Sequence, residues 1–445
     1  MIGASAGCIV KLSTRLVDAI PSDDDAFLDD IERSACGYFR EVVNPANGLV
    51  PDTTREGSPC SIAVVGFALS AYPIAVERGW MARDDAIALT LAALRFFRDS
   101  DQSGSVDATG YKGFYYHFLD MNSGKRVWRS ELSMIDTALL MAGILLAREY
   151  FNGMDASEVQ IRQISDELYQ RVDWNWSQND GAAIVQGWKP ESGFLHYGWQ
   201  GYTEGTLLYV LALGSPTHPI TRDAYDAWTV TYQWENLYGL DVLYAGPLFI
   251  YQFSHAWLDL RGIQDPFMRE KGSDYFENSA RALLVQREYA RRNPMGFTGY
   301  DGDCWGLTAC DGPDRDMQRR QQEASPPLGY AARGAPYGPD DGTLAGWAPV
   351  ASLPFAPELC LNAMRAMRQR YPEMYPQQRY ASGFNPGVLD SEGRYWVSPG
   401  HYGLDQGIVT MMIENYRTEF SWRLMRRCAY VVEGLRGAGF SGGWL

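Results

Sequence analysis

Apolar residues along this chain fall into two kinds of segment that alternate. In one kind they recur every three or four positions beside a charged stripe, as in DDAIALTLAALRFFRD and SEVQIRQISDELYQRV; stretches of this type begin near Asp25, Arg83, Ala156, Arg222, Gly272, Ala356 and Phe420. That spacing predicts helices with one face on a core and the other in water. The second kind is apolar around most of its circumference and rich in small residues: SIAVVGFALSAYPIAV, ELSMIDTALLMAGILLA, YTEGTLLYVLAL, AGPLFIYQFSHAWLDL, DGTLAGWAPVASL and LDQGIVTMMIENY. A helix without a polar face belongs inside. Six buried helices separated by amphipathic ones predict an all-α (α/α)6 barrel, a double ring of helices with one outer helix to spare. Inner helices of such a ring run in one direction, so their N-termini open on one face. Before those N-termini lie long segments, residues 101–130, 173–200, 293–340 and 380–404, rich in Gly, Pro, Trp and Tyr. They are expected as aromatic-rich rim loops, and loops of that length in a compact domain carry function. No linker divides the chain, so the expected organisation is an N-terminal extension over 1–25 and a single catalytic barrel over 26–445. The charged stretch 314–339 is expected to be the most mobile part.

Composition narrows the partners. A net charge of −15 with scattered Lys and Arg repels a phosphate backbone, so no nucleic-acid partner is expected. No apolar run reaches the ~18 residues of a membrane span. Seven Cys form no CxxC pair, and their odd number argues against a complete disulfide framework, so buried thiols are expected. The start MIGASAGCIVKLSTR lacks a charged leader and a full apolar stretch. A cytoplasmic location is therefore expected; Ser5-Ala6-Gly7-Cys8 loosely resembles the end of a lipoprotein signal, and a start further upstream makes a periplasmic location the alternative. Dinucleotide, P-loop and GxSxG signatures are missing, and the five His are dispersed without HExxH, so neither a metal nor an organic cofactor is predicted. The pattern specifies no oligomeric state.

Four of the six inner-helix N-termini carry acids: Glu131 with Asp136, Glu204, the Asp340-Asp341 pair, and Asp405. One reading is helix capping, since acids in a first turn meet free N–H groups and the positive dipole end. The other is chemistry, because these acids follow runs such as GFLHYGWQGYTEG and RYWVSPGHYGLDQG that a cap does not need. Glycoside hydrolysis requires one protonated carboxyl, one carboxylate, and flat rings to stack on sugars. Candidate rings are Trp128, Trp199, Tyr202, Trp257, Trp347, Trp396 and Tyr402, each also readable as core. Residues 113–120 (GFYYHFLD) read as a short strand or extended loop leading to Arg126 and Glu131. Tyr116, His117, Arg126, His255 and Asp340 complete the candidate substrate contacts; His117 either bonds a sugar hydroxyl, fixes a carboxylate or is structural. Glu131 and Asp136 are five apart on one helix, about 140° around it, which favours an acid/base pair drawn from different helices.

The segments GFYYHFLDMNSGKR, SELSMIDTALLMAG, YGWQGYTEGTLLYVLALGSPTHP, YAGPLFIYQFSHAWLDLRGI, DYFENSARA, WGLTACDGP and SPGHYGLDQG with MIENYR, in this order over residues 27–445, resemble the bacterial glucoamylase-like family, glycoside hydrolase family 144, which includes endo-β-1,2-glucanases. The resemblance implies an (α/α)6 barrel without organic cofactor that cleaves β-1,2-glucan, or sophoran, with inversion, and an oligo- or polysaccharide as partner. It assigns Glu204 as general acid and Asp405 as base, with Asp136 as competitor for the base and Glu131 in support. Endo cleavage is expected; exo release of sophorose, transglycosylation and glucan binding without catalysis are the alternatives. The 314–339 insert departs from the family pattern and bears on the cutting mode.

Overall fold

The computed structural model describes residues 20–314 and 328–445. Cys8 and its signal-like neighbours, and residues 315–327 of the charged insert, lie outside the described residues. The inner ring is built from α2 (Ile62–Glu77), α4 (Met134–Tyr150), α6 (Thr206–Leu213), α8 (Phe253–Trp257), α11 (Ala348–Ala351) and α13 (Gly403–Thr418). Around them run α1 (Ser22–Glu41), α3 (Arg83–Asp99), α5 (Ala156–Arg171), α7 (Arg222–Thr229), α10 (Tyr275–Arg292) and α12 (Pro357–Arg370). This is the expected (α/α)6 barrel. The spare outer segment forms α14 (Phe420–Met425) and α15 (Ala429–Gly437), and α15 packs against the short α6. A further short helix, α9 (Pro266–Lys271), precedes α10.

Small residues set the closeness of the ring. A Cβ on Gly143 of α4 would stand 2.0 Å from the Gly66 carbonyl oxygen of α2, so the two backbones meet directly. Opposite α2 in the ring, Trp257 of α8 reaches across and donates its indole N–H to Ser70 Oγ at 3.0 Å, with its ring 4.8 Å from that of Phe67. The barrel centre is thus filled by side chains.

Two inner segments are shorter than their apolar patterns predict. AGPLFIYQFSHAWLDL gives a 3-10 turn at Leu248–Tyr251 after Pro247, then only Phe253–Trp257. DGTLAGWAPVASL gives only Ala348–Ala351, with Pro349 in its first turn. An apolar circumference reports burial and says nothing of helix length. Asp340 and Asp341 therefore sit in a loop and not at a helix start.

The rim is more ordered than loops alone. A five-stranded antiparallel sheet of short strands runs Gly110–Tyr111, Phe114–Tyr116, Leu132–Ser133, Gly187–Lys189, Gly193–Phe194, pairing Tyr115 with Ser133 and Leu132 with Trp188. It ties two predicted rim loops to the entry of α4. Six cysteines, Cys36, Cys60, Cys304, Cys310, Cys360 and Cys428, are buried free thiols. Among the described residues no helix is long and apolar enough to cross a membrane.

Candidate active site

Acidic side chains line the mouth of the ring at the inner N-termini. Asp136 lies in the first turn of α4, where Ser133 caps the helix: its hydroxyl accepts the Asp136 N–H at 3.2 Å and donates to Asp136 Oδ2. The cap of this helix is thus Ser133, and the Asp136 carboxylate takes a hydroxyl rather than a helix N–H. His117 sits at a bend between Phe114–Tyr116 and Phe118–Leu119. Its Nδ1 is 3.0 Å from Glu131 Oε1 and its Nε2 is 3.5 Å from Asp136 Oδ2. Burial works against charge on this imidazole, but Asp136, Glu131 and Asp52 together outweigh it and raise its pKa to about 9. His117 is a cation at neutral pH. The same bond to His117 holds the Glu131 carboxyl below its ordinary range against the effect of burial.

Glu204 stands in the turn that leads into α6, its carbonyl fixed by Ser254 Oγ at 2.9 Å. The residue is half-buried, and the surrounding protein removes enough water to raise its pKa to about 7; the Asp136 charge adds to the rise. Asp405, in the first turn of α13, is buried, and among the described residues Oδ2 has no hydrogen-bond partner. Burial lifts its pKa well above the ordinary value; a bond from Ser382 opposes the rise, and Asp52 and Asp311 add to it.

Two acids in this row are absent from the sequence-based candidates. Asp52 belongs to the loop before α2. Its carbonyl accepts the Gly403 N–H at 2.8 Å, which fastens this loop to the start of α13. Burial raises the Asp52 carboxyl to about 6; His117 and Arg55 oppose the rise and Asp136 reinforces it. Asp311 accepts from Ser398 Oγ at 2.7 Å and pairs with Arg55, whose guanidinium lies 5.4 Å above the Tyr402 ring. Tyr402 stacks with the exposed Tyr330 at 6.2 Å between ring centres. The electrostatic order is therefore Glu204, Asp136 with His117, Asp52, Asp405, Asp311.

Several predicted sugar contacts are not at the surface. Trp257 fills the barrel centre. Trp347 is fully buried and donates to the Ser382 carbonyl at 3.0 Å, so it supports the residue that bonds Asp405. His255 is buried beside Phe276 and Phe355, and burial lowers its pKa to about 3, leaving a neutral ring against Ser279. Tyr116 is buried with its hydroxyl on the Gly104 and Ser105 carbonyls, and Arg126 lies 4.6 Å over its ring. Arg126 itself grips Glu191 at 2.8 and 3.1 Å. Asp340 is occupied by Tyr300, Tyr289 and the Gly342 N–H. Tyr202 packs against Tyr275 in an aromatic cluster, and Trp199 keeps little exposed surface. These side chains are core or loop anchors because their polar atoms are satisfied inside or their rings are enclosed. Trp396 is half-exposed on the strand Tyr395–Val397, and Tyr402 and His117 remain open to the cleft.

Residues 196–429, more than half of the chain, match the family model Glycoamylase, described as "Putative glucoamylase". The chain belongs to this family. A curated relative, the exo β-1,2-glucooligosaccharide sophorohydrolase (non-reducing end) of Parabacteroides distasonis, is 27% identical over 94% of this chain. The chain spans 58% of that relative's length. A solved β-1,2-glucanase from Parabacteroides distasonis is 26% identical with a TM-score of 0.82, covering 95% of this chain and 61% of that one. The endo-β-1,2-glucanase of Chitinophaga pinensis, solved with sophorotriose and glucose, is 24% identical with a TM-score of 0.82 over 95% of this chain and 99% of its own; that likeness bears on the fold.

Proposed function

We propose that the chain is a glycoside hydrolase that cleaves β-1,2-linked glucan by an inverting acid/base mechanism. The observation that carries this reading is a carboxyl held protonated near neutrality, Glu204 at about 7, set across the ring mouth from a carboxyl with an uncommitted oxygen, Asp405. In ring order α6 and α13 are three places apart, which is opposite in a ring of six. An inverting pair needs room for both sugar and water, roughly 6.5–9.5 Å between carboxyls, and opposite entries to the ring provide such room where neighbours on one helix do not.

In this mechanism Glu204 gives its proton to the glycosidic oxygen as the C1–O bond breaks. Asp405 takes a proton from the water that attacks C1 from the other face, directly or through an intervening hydroxyl. Asp136 is less suited as base, because one oxygen is held by both Ser133 and His117. Its charge instead helps to keep Glu204 protonated. Glu131 acts by holding His117.

The β-1,2 linkage is supported by the sophorohydrolase and the β-1,2-glucanase of Parabacteroides distasonis that the chain resembles. Internal cleavage is our preferred mode, because exposed rings flank the acids on both sides: Trp128 beyond His117, and Tyr330 stacked on Tyr402 beside Asp405. Terminal release of a disaccharide is the second reading, favoured by the sophorohydrolase relative. Incubation with linear β-1,2-, β-1,3-, β-1,4- and β-1,6-glucans, with products separated by size, tests both points. The expected result is shortening of β-1,2-glucan alone through a spread of intermediate lengths. Inertness toward β-1,2-glucan rejects the substrate; accumulation of disaccharide alone from the outset rejects internal cleavage.

A further inference from the structure

Trp128 is 69% exposed, although it carries the largest apolar side chain in its loop. Its backbone φ is +54° and that of Arg129 is +51°. The Ser130 N–H bonds the Val127 carbonyl at 3.0 Å, so Trp128 and Arg129 are the two central residues of a tight turn, both in the left-handed region. Such turns favour Gly and Asn, and a bulky aromatic there is disfavoured. The turn is clamped from below: Arg126 donates through Nε to the Ser130 carbonyl, and its other nitrogens hold Glu191 at 2.8 and 3.1 Å. The Arg126 side chain is 1% exposed, so this clamp is buried. A strained backbone, firmly supported, thus holds a tryptophan out in water, and strain of this kind marks function when the fold overdetermines it.

The direction of the ring gives the function. Trp128 packs on Phe118 at 5.1 Å, and Phe118 lies flat against His117 at 3.9 Å with 13° between the planes. His117 in turn touches Glu131 and Asp136 of the acid row. The bend at His117 breaks strand alternation and puts two consecutive rings on one side. Three rings therefore step from the carboxylates outward to the rim, with exposure greatest at the end.

Resting on the glucan-hydrolase reading, we propose that Trp128 is the stacking platform of a distal subsite, which binds a glucosyl unit of the chain several positions from the cleaved bond. Arg126, buried beneath it, is a positioning residue that sets the turn. Flat apolar rings take the C–H face of a sugar, and a contact remote from the bond improves capture only of chains long enough to reach it.

The test compares kcat/KM on long β-1,2-glucan with that on the shortest oligosaccharide still cleaved, for the wild type and W128A, W128F and W128G. W128A is expected to lose roughly ten-fold on the polymer and nothing on the short substrate, and W128F to recover most of the loss. W128G, suited to the left-handed turn, should be as deficient as W128A while melting at a higher temperature. Equal loss on both substrates, or none on either, overturns the proposal. A wild type that leaves β-1,2-glucan uncut overturns the substrate reading and the subsite with it, and this outcome is distinct from an active enzyme whose polymer-to-oligomer ratio ignores Trp128.

Discussion

Asp405 and Glu414 lie on the same helix, α13, and both are buried, but their surroundings differ at the two ends. Glu414 accepts from Thr418 at 2.7 Å through Oε1 and lies beside Glu32 of α1. Arg417 bonds Glu32 at 2.8 Å and also pairs with Asp25 and Asp29, while Arg78 stands 3.9 Å from Glu414. Burial, followed by the Glu414 charge, raises the Glu32 carboxyl well above its ordinary range. At the rim, Asp405 has Ser382 and, like Glu414, one oxygen without a hydrogen-bond partner among the described residues, but the nearby Arg55 is turned away to Asp311. Acids matched by arginine inside a protein hold elements together. An acid left without an arginine beside a cleft lowers stability in return for reactivity.

Breaking each end separately should give opposite results. Asp405→Asn is expected to lower kcat on the order of 10²–10⁴-fold while the melting temperature stays level or rises, measured by steady-state kinetics and calorimetry. Arg417→Ala removes the buried cation shared by Asp25, Asp29 and Glu32 and should cost about 3–5 kcal/mol in denaturant unfolding, with kcat per folded molecule unchanged. A smaller effect sharpens the rim's electrostatics. The kcat/KM profile of the wild type should fall above about pH 7, because Glu204 with its pKa of about 7 must be protonated to act. On the acid side, the profile should fall as Asp405 is protonated, at a pH above the ordinary carboxyl range because its pKa is raised. Asp136→Asn removes a charge that raises Glu204, so the alkaline limb should move to lower pH with a loss of roughly ten-fold in rate. An unmoved limb means that Asp136 does not tune the acid.

The double ring was legible in the sequence because burial on all sides and burial on one side leave different periodicities, and α2 to α5 show both. Helix length was not legible where Pro247 and Pro349 interrupt an apolar run. The fate of aromatic residues was legible only in part: Trp257 lies in an apolar run that predicts burial and Trp128 between charged residues of a rim loop, but Trp199 and Tyr202 stand in a Gly-rich rim segment and are nonetheless enclosed. Asp52 was not legible, because the acids that periodicity singles out are those in the first turns of inner helices. It lies ten residues before α2, in a Pro- and Thr-rich loop with no periodic signal, and reaches the rim through its bond to Gly403. The usable clue was that α2 is an inner helix without an acid of its own at its start.

The claim that Glu204 and Asp405 act from opposite sides of the ring mouth is tested most directly by proton NMR of the reducing ends released in the first minutes of β-1,2-glucan hydrolysis. Attack by water across from the acid predicts that the α-anomer appears first and then mutarotates. Early appearance of the β-anomer would require a retaining pair set about 5 Å apart and would contradict the account.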